Sequence, residues 1–130
     1  FPLAWAPPEA NVARIVAECS DTDVVPKPPW RNRRTAYIQH LDQVGEDTLL
    51  VSVADKLDNA RSMLRDYHEH GPQLWQRFTR KNPQDHLWHY GALLAAYRNR
   101  GLNSWMVGEL DRVVDELRRQ VEGGDRVVLV

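Results

Sequence analysis

The longest uninterrupted helical pattern of the chain lies in residues 46–68, which read EDTLLVSVADKLDNARSMLRDYH. With Asp55 set at zero and about 100° per residue, most of its apolar side chains fall between about 120° and 220°. The core stripe predicted in this way consists of Leu49, Leu50, Val53, Leu57, Ala60 and Leu64, with Met63 at its edge. The opposite side presents Ser52, Asp55, Asn59 and Ser62. The stretch therefore predicts a long amphipathic helix, and Val51 beside Asp55 indicates that the polar face lines a cleft.

Proline and glycine residues divide the rest of the chain into segments that also have helical rather than alternating periodicity. Helices are predicted from near Pro8 to the polar residues 20–23, from Trp30 to about Gln43, from Pro83 to about Asn99, and from Asn103 or Ser104 to residues 123–124, with a short turn at 73–78. The first helix carries one apolar stripe, and the last is expected to bury Met106, Leu110, Val113 or Val114, and Leu117. The stripe of the first helix comprises Val12, Ile15, Val16 and Cys19. These patterns predict an all-α bundle of about five main helices.

Composition narrows the class of protein further. The 130 residues suffice for one domain, and 42% apolar with 27% charged residues is typical of a globular chain. No apolar run approaches the ~20 residues of a membrane span, and the start lacks the features of a signal peptide, so we expect a cytoplasmic protein with no membrane partner. The formal net charge of -1 argues against DNA or RNA as a partner. One cysteine, Cys19, cannot form an internal disulfide or a thiolate metal site alone.

The polar face of residues 46–68 carries the side chains with the clearest chemistry. An aspartate oxygen can ligate a hard divalent cation, and an asparagine one turn later can bond a ligand oxygen or a base edge. Asp55 and Asn59 have this spacing. Any amphipathic helix also has a polar face, so periodicity alone leaves open whether these residues form a site or an ordinary solvated surface.

Residues 50–62, LVSVADKLDNARS, resemble the distal motif of HD-domain hydrolases related to the RelA/SpoT guanosine tetraphosphate hydrolases. Residues 12–16, 19–22, 27–31, 37–41 and 87–94 resemble further stretches of small phosphohydrolases of this group. The resemblance implies an HD-domain-like helical bundle over residues 1–122, followed by a tail at 123–130. It implies Asp55 as a metal ligand, and Asn59, with Lys56, Arg61 and Ser62, as substrate-binding residues. The implied cofactor is a divalent metal, foremost Mn²⁺, with Fe, Mg or Zn as options, and the implied substrate is a nucleotide or a (p)ppGpp-like pyrophosphate ester.

The chain departs from the family pattern in its histidines. The family uses one His and a His-Asp pair before the distal Asp, and no His-Asp dipeptide occurs here. Asp58 stands where the family usually has His. We therefore expect the N-terminal helices of the domain to be missing from this chain, which alone should be inactive, and no catalytic residue is assigned. The alternatives are a non-catalytic nucleotide-binding or regulatory module with a degenerate site, and a structural domain that forms a homodimer through its last helix and apolar tail.

Three other groups of residues could bind ligands. His68 and His70 point about 200° apart on a helix, which favours solvated helix-end residues over a metal pair. His86 and His89 share a face, but they lack the carboxylates that would complete a metal site. The basic cluster Lys27, Arg31, Arg33 and Arg34 could attract phosphate, or it could be an exposed turn balanced by Asp42, Glu46 and Asp47. The tryptophans Trp30, Trp75, Trp88 and Trp105 are predicted to pack in the core and between helices rather than to stack on bases.

Overall fold

The computed structural model describes residues 8–19 and 28–123. It contains five α-helices, and these residues include no β-strand. The helices are α1 Pro8–Cys19, α2 Trp30–His40, α3 Glu46–His70, α4 Pro83–Asn99 and α5 Trp105–Gly123, with a 3-10 segment at Gly71–Arg77 between α3 and α4. The predicted all-α bundle of about five helices is confirmed. The apolar tail and any dimer contact through it lie outside the described residues.

Local sequence signals explain where most helices begin and end. Gly71 and Gly101 adopt φ values of 63° and 66°, a left-handed region that favours glycine, and they follow the ends of α3 and α4. The Asn82 side chain accepts a hydrogen bond from the backbone N–H of Gln84 at 3.0 Å, and Pro83 occupies the first helical position of α4. These three boundaries agree with the sequence prediction.

Helix α2 ends earlier than predicted, at His40 instead of about Gln43. The chain turns at residues 41–44, and the Arg100 guanidinium from the end of α4 donates to the carbonyls of Leu41 and Val44 at 2.6 and 2.7 Å. Carbonyl groups at a helix end need a partner, and an arginine from a distant part of the chain supplies it here. No local sequence pattern could predict that contact.

A single core forms between the helices. Helix α5 packs against both α3 and α4, the 3-10 segment and α1 lie on α3, and α2 lies on α4. The fully buried side chains of the core include Leu41, Leu49, Val53, Leu74, Leu93, Tyr97, Leu110, Val113, Val114 and Leu117. The predicted buried positions of α5 are confirmed, with Met106 packed at the edge of the core. No helix among the described residues is long and apolar enough to cross a membrane.

The buried stripe of α3 is rotated from its predicted position. Leu50 is 36% exposed and Leu64 is only partly buried, whereas Ser52 and Thr48 are fully buried. The prediction that Ser52 belongs to the polar face is wrong. The centre of the buried stripe lies about 40° closer to Ser52, around the helix axis, than the sequence predicted. Ser52 can be buried in the core because its hydroxyl group is hydrogen-bonded to the hydroxyl groups of Tyr37 and Tyr97, at 2.8 and 2.7 Å.

Replacement of Ser52 by alanine is expected to lower the free energy of unfolding by about 2 kcal/mol, because it removes the shared partner of two buried phenol groups. Urea denaturation of the two proteins measures this difference. Ser62→Ala on the same helix removes only a long, 3.4 Å contact with Arg65 and should cost less than about 0.5 kcal/mol. Equal effects of the two substitutions would show that the hydroxyl chain does not stabilise the core.

Three further apolar positions predicted to pack are exposed. Helix α1 forms as predicted, but Val12 and Val16 on its stripe are 60% and 58% exposed. Arg14 forms ion pairs with Asp47 of α3 and with Glu18, at 2.6 and 2.8 Å, and neither Val12 nor Val16 enters the core. Trp105 is 70% exposed because it begins α5 before the first buried position, Val107. The side chain of Cys19 lies outside the described residues.

Candidate functional site

The polar face of α3 presents Asp55 and Asn59 to solvent one turn apart. The Asp55 side chain is 55% exposed, and one of its oxygens lies 3.4 Å from Nζ of Lys56. The Lys56 side chain is only 12% exposed, because its ammonium group lies over the Tyr37 ring, 4.9 Å from the ring centroid. Asp55, Lys56 and Asn59 are therefore close together, with a carboxylate and an amide open to a ligand.

The other two predicted substrate-binding residues have partners elsewhere. Arg61 lies about 120° around α3 from Asp55 and forms an ion pair with Glu109 of α5 at 3.1 Å. Hydrogen bonds from Arg112 and then Arg61 lower the pKa of Glu109 to about 2, so this pair is ionised at neutral pH. Ser62 is partly buried and accepts a long hydrogen bond from Arg65. Neither Arg61 nor Ser62 extends the Asp55 site in this structure.

The described residues do not by themselves fit a catalytic divalent ion. No group of three or more His, Cys, Asp or Glu side chains in residues 8–19 and 28–123 is arranged to hold a metal. Asp55 and the exposed Asp58 are neighbours on α3, at a spacing of three residues. A metal that performs hydrolysis needs several protein ligands and an open position for water. Asp55 can thus supply one ligand, and any others must come from elsewhere.

The two histidine pairs differ sharply in environment. His68 and His70 are exposed at the end of α3, as predicted for solvated helix-end residues. His86 and His89 of α4 are buried, which the sequence pattern did not indicate. A ring nitrogen of His86 lies 2.7 Å from the carbonyl oxygen of Arg80, while Nδ1 of His89 has no hydrogen-bond partner among the described residues.

Beside His86 lies a cavity of about 300 Å³, which we call the basic cavity. It forms where the first turns of α2 and α4 meet the loop that follows the 3-10 segment. Its lining residues are Trp30, Arg33, Arg34, Phe78, Thr79, Arg80 and His86. The guanidinium carbons of Arg34 and Arg80 lie 5.6 and 5.3 Å from the centroid of the Trp30 ring. Three arginines and an indole thus line one opening.

The predicted basic cluster is divided by the fold. Arg33 and Arg34 line the basic cavity, but Arg31 stacks on Trp88 with its guanidinium carbon 3.6 Å from the ring centroid. Lys27 lies outside the described residues. Arg80 replaces Arg31 in the cavity, although it comes from a distant part of the sequence. The basic cluster in the sequence indicated α2, which does line the cavity. Nothing in the sequence could place Arg80 beside that helix.

Burial governs the titration of the aromatic groups behind this cavity. Burial, with smaller effects of the Arg34 and Lys56 charges, lowers the pKa of His89 to about 3. The pKa of His86 is also lowered, mainly by burial. Burial raises the pKa of Tyr90 to about 12, and the charges of Arg34 and Asp55 both act on its hydroxyl, in opposite directions. The pKa of each imidazole lies below its usual value, so both rings are neutral at pH 7.

The buried His89 should make the protein sensitive to acid. Its pKa of about 3 in the folded state lies below the unfolded value of about 6.5, so the unfolded chain takes up the proton first as the pH falls. The stability that depends on neutral His89 is complete above pH 6.5 and is lost at about 1.4 kcal/mol per pH unit below it. Between pH 7 and pH 5 we expect His89 alone to cost about 2 kcal/mol.

Urea denaturation at the two pH values measures this loss. His89→Gln removes this titrating group and should reduce the loss of stability by about 2 kcal/mol, while the contribution of His86 remains. His40→Gln, at an exposed position of α2, is the control and should keep the wild-type dependence. If His89→Gln and the wild-type protein lost stability equally between pH 7 and pH 5, His89 would not be the buried neutral group described here.

No protein-family model matches this chain, and no curated protein matches it at a significant level. The described residues offer two groups of side chains that a ligand could reach: the exposed Asp55 and Asn59 on α3, and the arginines that line the basic cavity.

Proposed function

We propose that the chain is part of an HD-type, divalent-metal-dependent phosphohydrolase that acts on a nucleotide or a (p)ppGpp-like pyrophosphate ester. The observation that carries the proposal is the exposed carboxylate of Asp55, one turn before the exposed amide of Asn59, within the segment that resembles the distal motif of that family. Asp55 ligates the metal in this proposal, and Asn59 bonds the substrate. Lys56 places a positive charge 3.4 Å from the same carboxylate.

The remaining metal ligands come from residues other than those described, because a single carboxylate does not hold a catalytic ion. When bound, Mn²⁺, or Fe, Mg or Zn in its place, supplies an acidified water and neutralises charge on the phosphate under attack. The described residues position the substrate: Asn59 orients it, while the hydroxyl chain of Ser52 fixes α3 against α2 and α4.

Hydrolysis by the native protein at its full encoded length tests the proposal. The assay follows product release from ppGpp, pppGpp and simple nucleoside di- and triphosphates, after removal of metal with EDTA and after addition of each candidate metal. We expect turnover that EDTA abolishes and that Mn²⁺ restores, whereas the 130-residue chain alone should be inactive. Absence of turnover with all four metals would reject the hydrolase assignment.

The second candidate function is a non-catalytic nucleotide-binding or regulatory module. The observation that favours it is Asp58, whose exposed carboxylate adds a negative charge beside Asp55 at the position where the family usually has His. Calorimetry of the native protein with the same nucleotides distinguishes the two functions. Saturable binding without metal and without turnover would support the module and exclude the enzyme.

A further inference from the structure

The basic cavity brings guanidinium groups from two separate parts of the chain to one opening. Arg33 and Arg34 come from α2, and Arg80 comes from the loop before α4. Arg33 is partly fixed by a hydrogen bond from its Nε to the carbonyl of Pro28 at 3.2 Å, and Arg80 by a 2.9 Å ion pair with Asp85. These contacts hold the side chains in place at the opening. Their convergence is a feature of the fold rather than of a single basic turn.

The aromatic ring in the lining of the cavity favours one kind of ligand. Two guanidinium groups lie within about 6 Å of the Trp30 centroid, at 5.6 and 5.3 Å, the range of cation–π contacts. A guanidinium carries its N–H donors in its own plane, in a fork that matches two oxygens of a phosphate. Contact with Trp30 uses the face of a guanidinium group, whereas an oxyanion is bound in its plane, so the two contacts are compatible.

A buried histidine also lies near Trp30, although it does not line the cavity. Nδ1 of His89 is a buried polar atom without a partner among the described residues, and its ring lies 6.1 Å from that of Trp30. Buried polar atoms without partners are uncommon in folded proteins. Arginine side chains stay protonated between pH 6 and pH 8, so the charge that they bring to the cavity does not change over this range.

The size of the cavity limits what it can hold. A volume of about 300 Å³ lies at the lower end of the range for small-molecule sites, about 300–1,000 Å³. We propose that the basic cavity binds the pyrophosphate or polyphosphate group of a phosphorylated small molecule, through Arg33, Arg34 and Arg80, without a metal ion. That the phosphorylated molecule is a nucleotide rests on the proposed function. In that case the cavity holds the phosphates of the substrate that do not react.

Calorimetric titration of the native protein with inorganic pyrophosphate in EDTA tests the proposal directly. The wild-type protein should bind saturably, and Arg33→Gln combined with Arg80→Gln should weaken binding at least about tenfold, because two charge-assisted contacts are lost. The matched control combines Arg77→Gln with Arg119→Gln, which removes the same charge from exposed positions outside the cavity. This control should bind within about twofold of the wild-type protein.

A second pair of substitutions guards against loss of folding. Arg33→Lys with Arg80→Lys keeps the charge but loses the planar fork, and it should weaken pyrophosphate binding severalfold with an unchanged far-UV circular dichroism spectrum. Equal weakening in the cavity variants and the Arg77/Arg119 control would overturn the proposal, because the attraction would then come from overall charge. Absence of saturable binding by the wild-type protein would overturn it as well.

The same proteins separate this inference from the proposed function. If Asp55→Ala abolishes hydrolysis while the cavity variants bind pyrophosphate and hydrolyse substrate normally, the enzyme assignment stands and the cavity assignment is wrong. If the cavity variants lose pyrophosphate binding while the native protein shows no hydrolysis with any metal, the cavity assignment stands and the enzyme assignment is wrong.

Discussion

Replacement of Asp55 by alanine is expected to reduce phosphohydrolase turnover of the native protein by at least about 100-fold. Loss of a residue that only orients a metal ligand typically costs 10–100-fold, so loss of a ligand itself should reach or exceed the upper end. The side chain is 55% exposed, and one of its oxygens lies 3.4 Å from Nζ of Lys56. The free energy of unfolding should therefore change by less than about 0.5 kcal/mol. Steady-state kinetics with Mn²⁺ and urea denaturation measure the two effects.

Asp66→Ala provides the matched control for this substitution. Asp66 lies on the same helix and at nearly the same angle as Asp55, but about 16 Å further along the helix axis. It is partly buried and pairs weakly with Arg77 at 3.9 Å. Asp66→Ala should keep wild-type turnover. Unchanged turnover in Asp55→Ala would exclude Asp55 as a metal ligand, whereas an equal loss in both variants would indicate a general effect of charge on α3.

The largest effect on stability is expected from Leu110→Ala. Leu110 is fully buried on α5, the helix that packs against both α3 and α4. Truncation of a buried leucine removes apolar contacts and leaves a cavity, and it typically costs 2–5 kcal/mol. We expect a loss of about 3 kcal/mol in the free energy of unfolding, measured by urea denaturation.

Val12→Ala is the control for an apolar truncation outside the core. Val12 is 60% exposed on α1, so its truncation should cost less than about 0.5 kcal/mol. A loss below about 1 kcal/mol for Leu110→Ala would contradict the position of α5 at the centre of the bundle.

Local signals in the sequence account for the helices but not for their exact faces. Gly71, Asn82 and Gly101 determine helix boundaries through backbone geometry and capping, so those boundaries were predictable. The buried face of α3 depends on its neighbours. Ser52 enters the core because tyrosines from α2 and α4 meet its hydroxyl, and a hydropathy pattern cannot register such a partner. For the same reason the stripe on α1 looked buried although Val12 is exposed.

The two parts of the candidate site also differ in how well the sequence predicts them. Asp55 and Asn59 lie one turn apart on one helix, so their proximity follows from sequence spacing. The basic cavity depends on tertiary packing, because Arg80 reaches Trp30 only after the loop before α4 folds against α2. The burial of His89 is equally non-local, since its neighbours Trp88 and Tyr90 gave no sign of which side of α4 faces inward. The sequence therefore predicts which site residues lie together on one helix, but it does not predict which residues from two helices meet.

The metal content of the native protein tests the assignment of Asp55 most directly. Inductively coupled plasma mass spectrometry after reconstitution with Mn²⁺ and removal of excess metal should find stoichiometric metal in the wild-type and Asp66→Ala proteins. Asp55→Ala should retain little or none. A wild-type protein that holds no Mn²⁺ or Fe²⁺ after reconstitution, or an Asp55→Ala variant with full occupancy, would contradict Asp55 as a ligand of a catalytic metal.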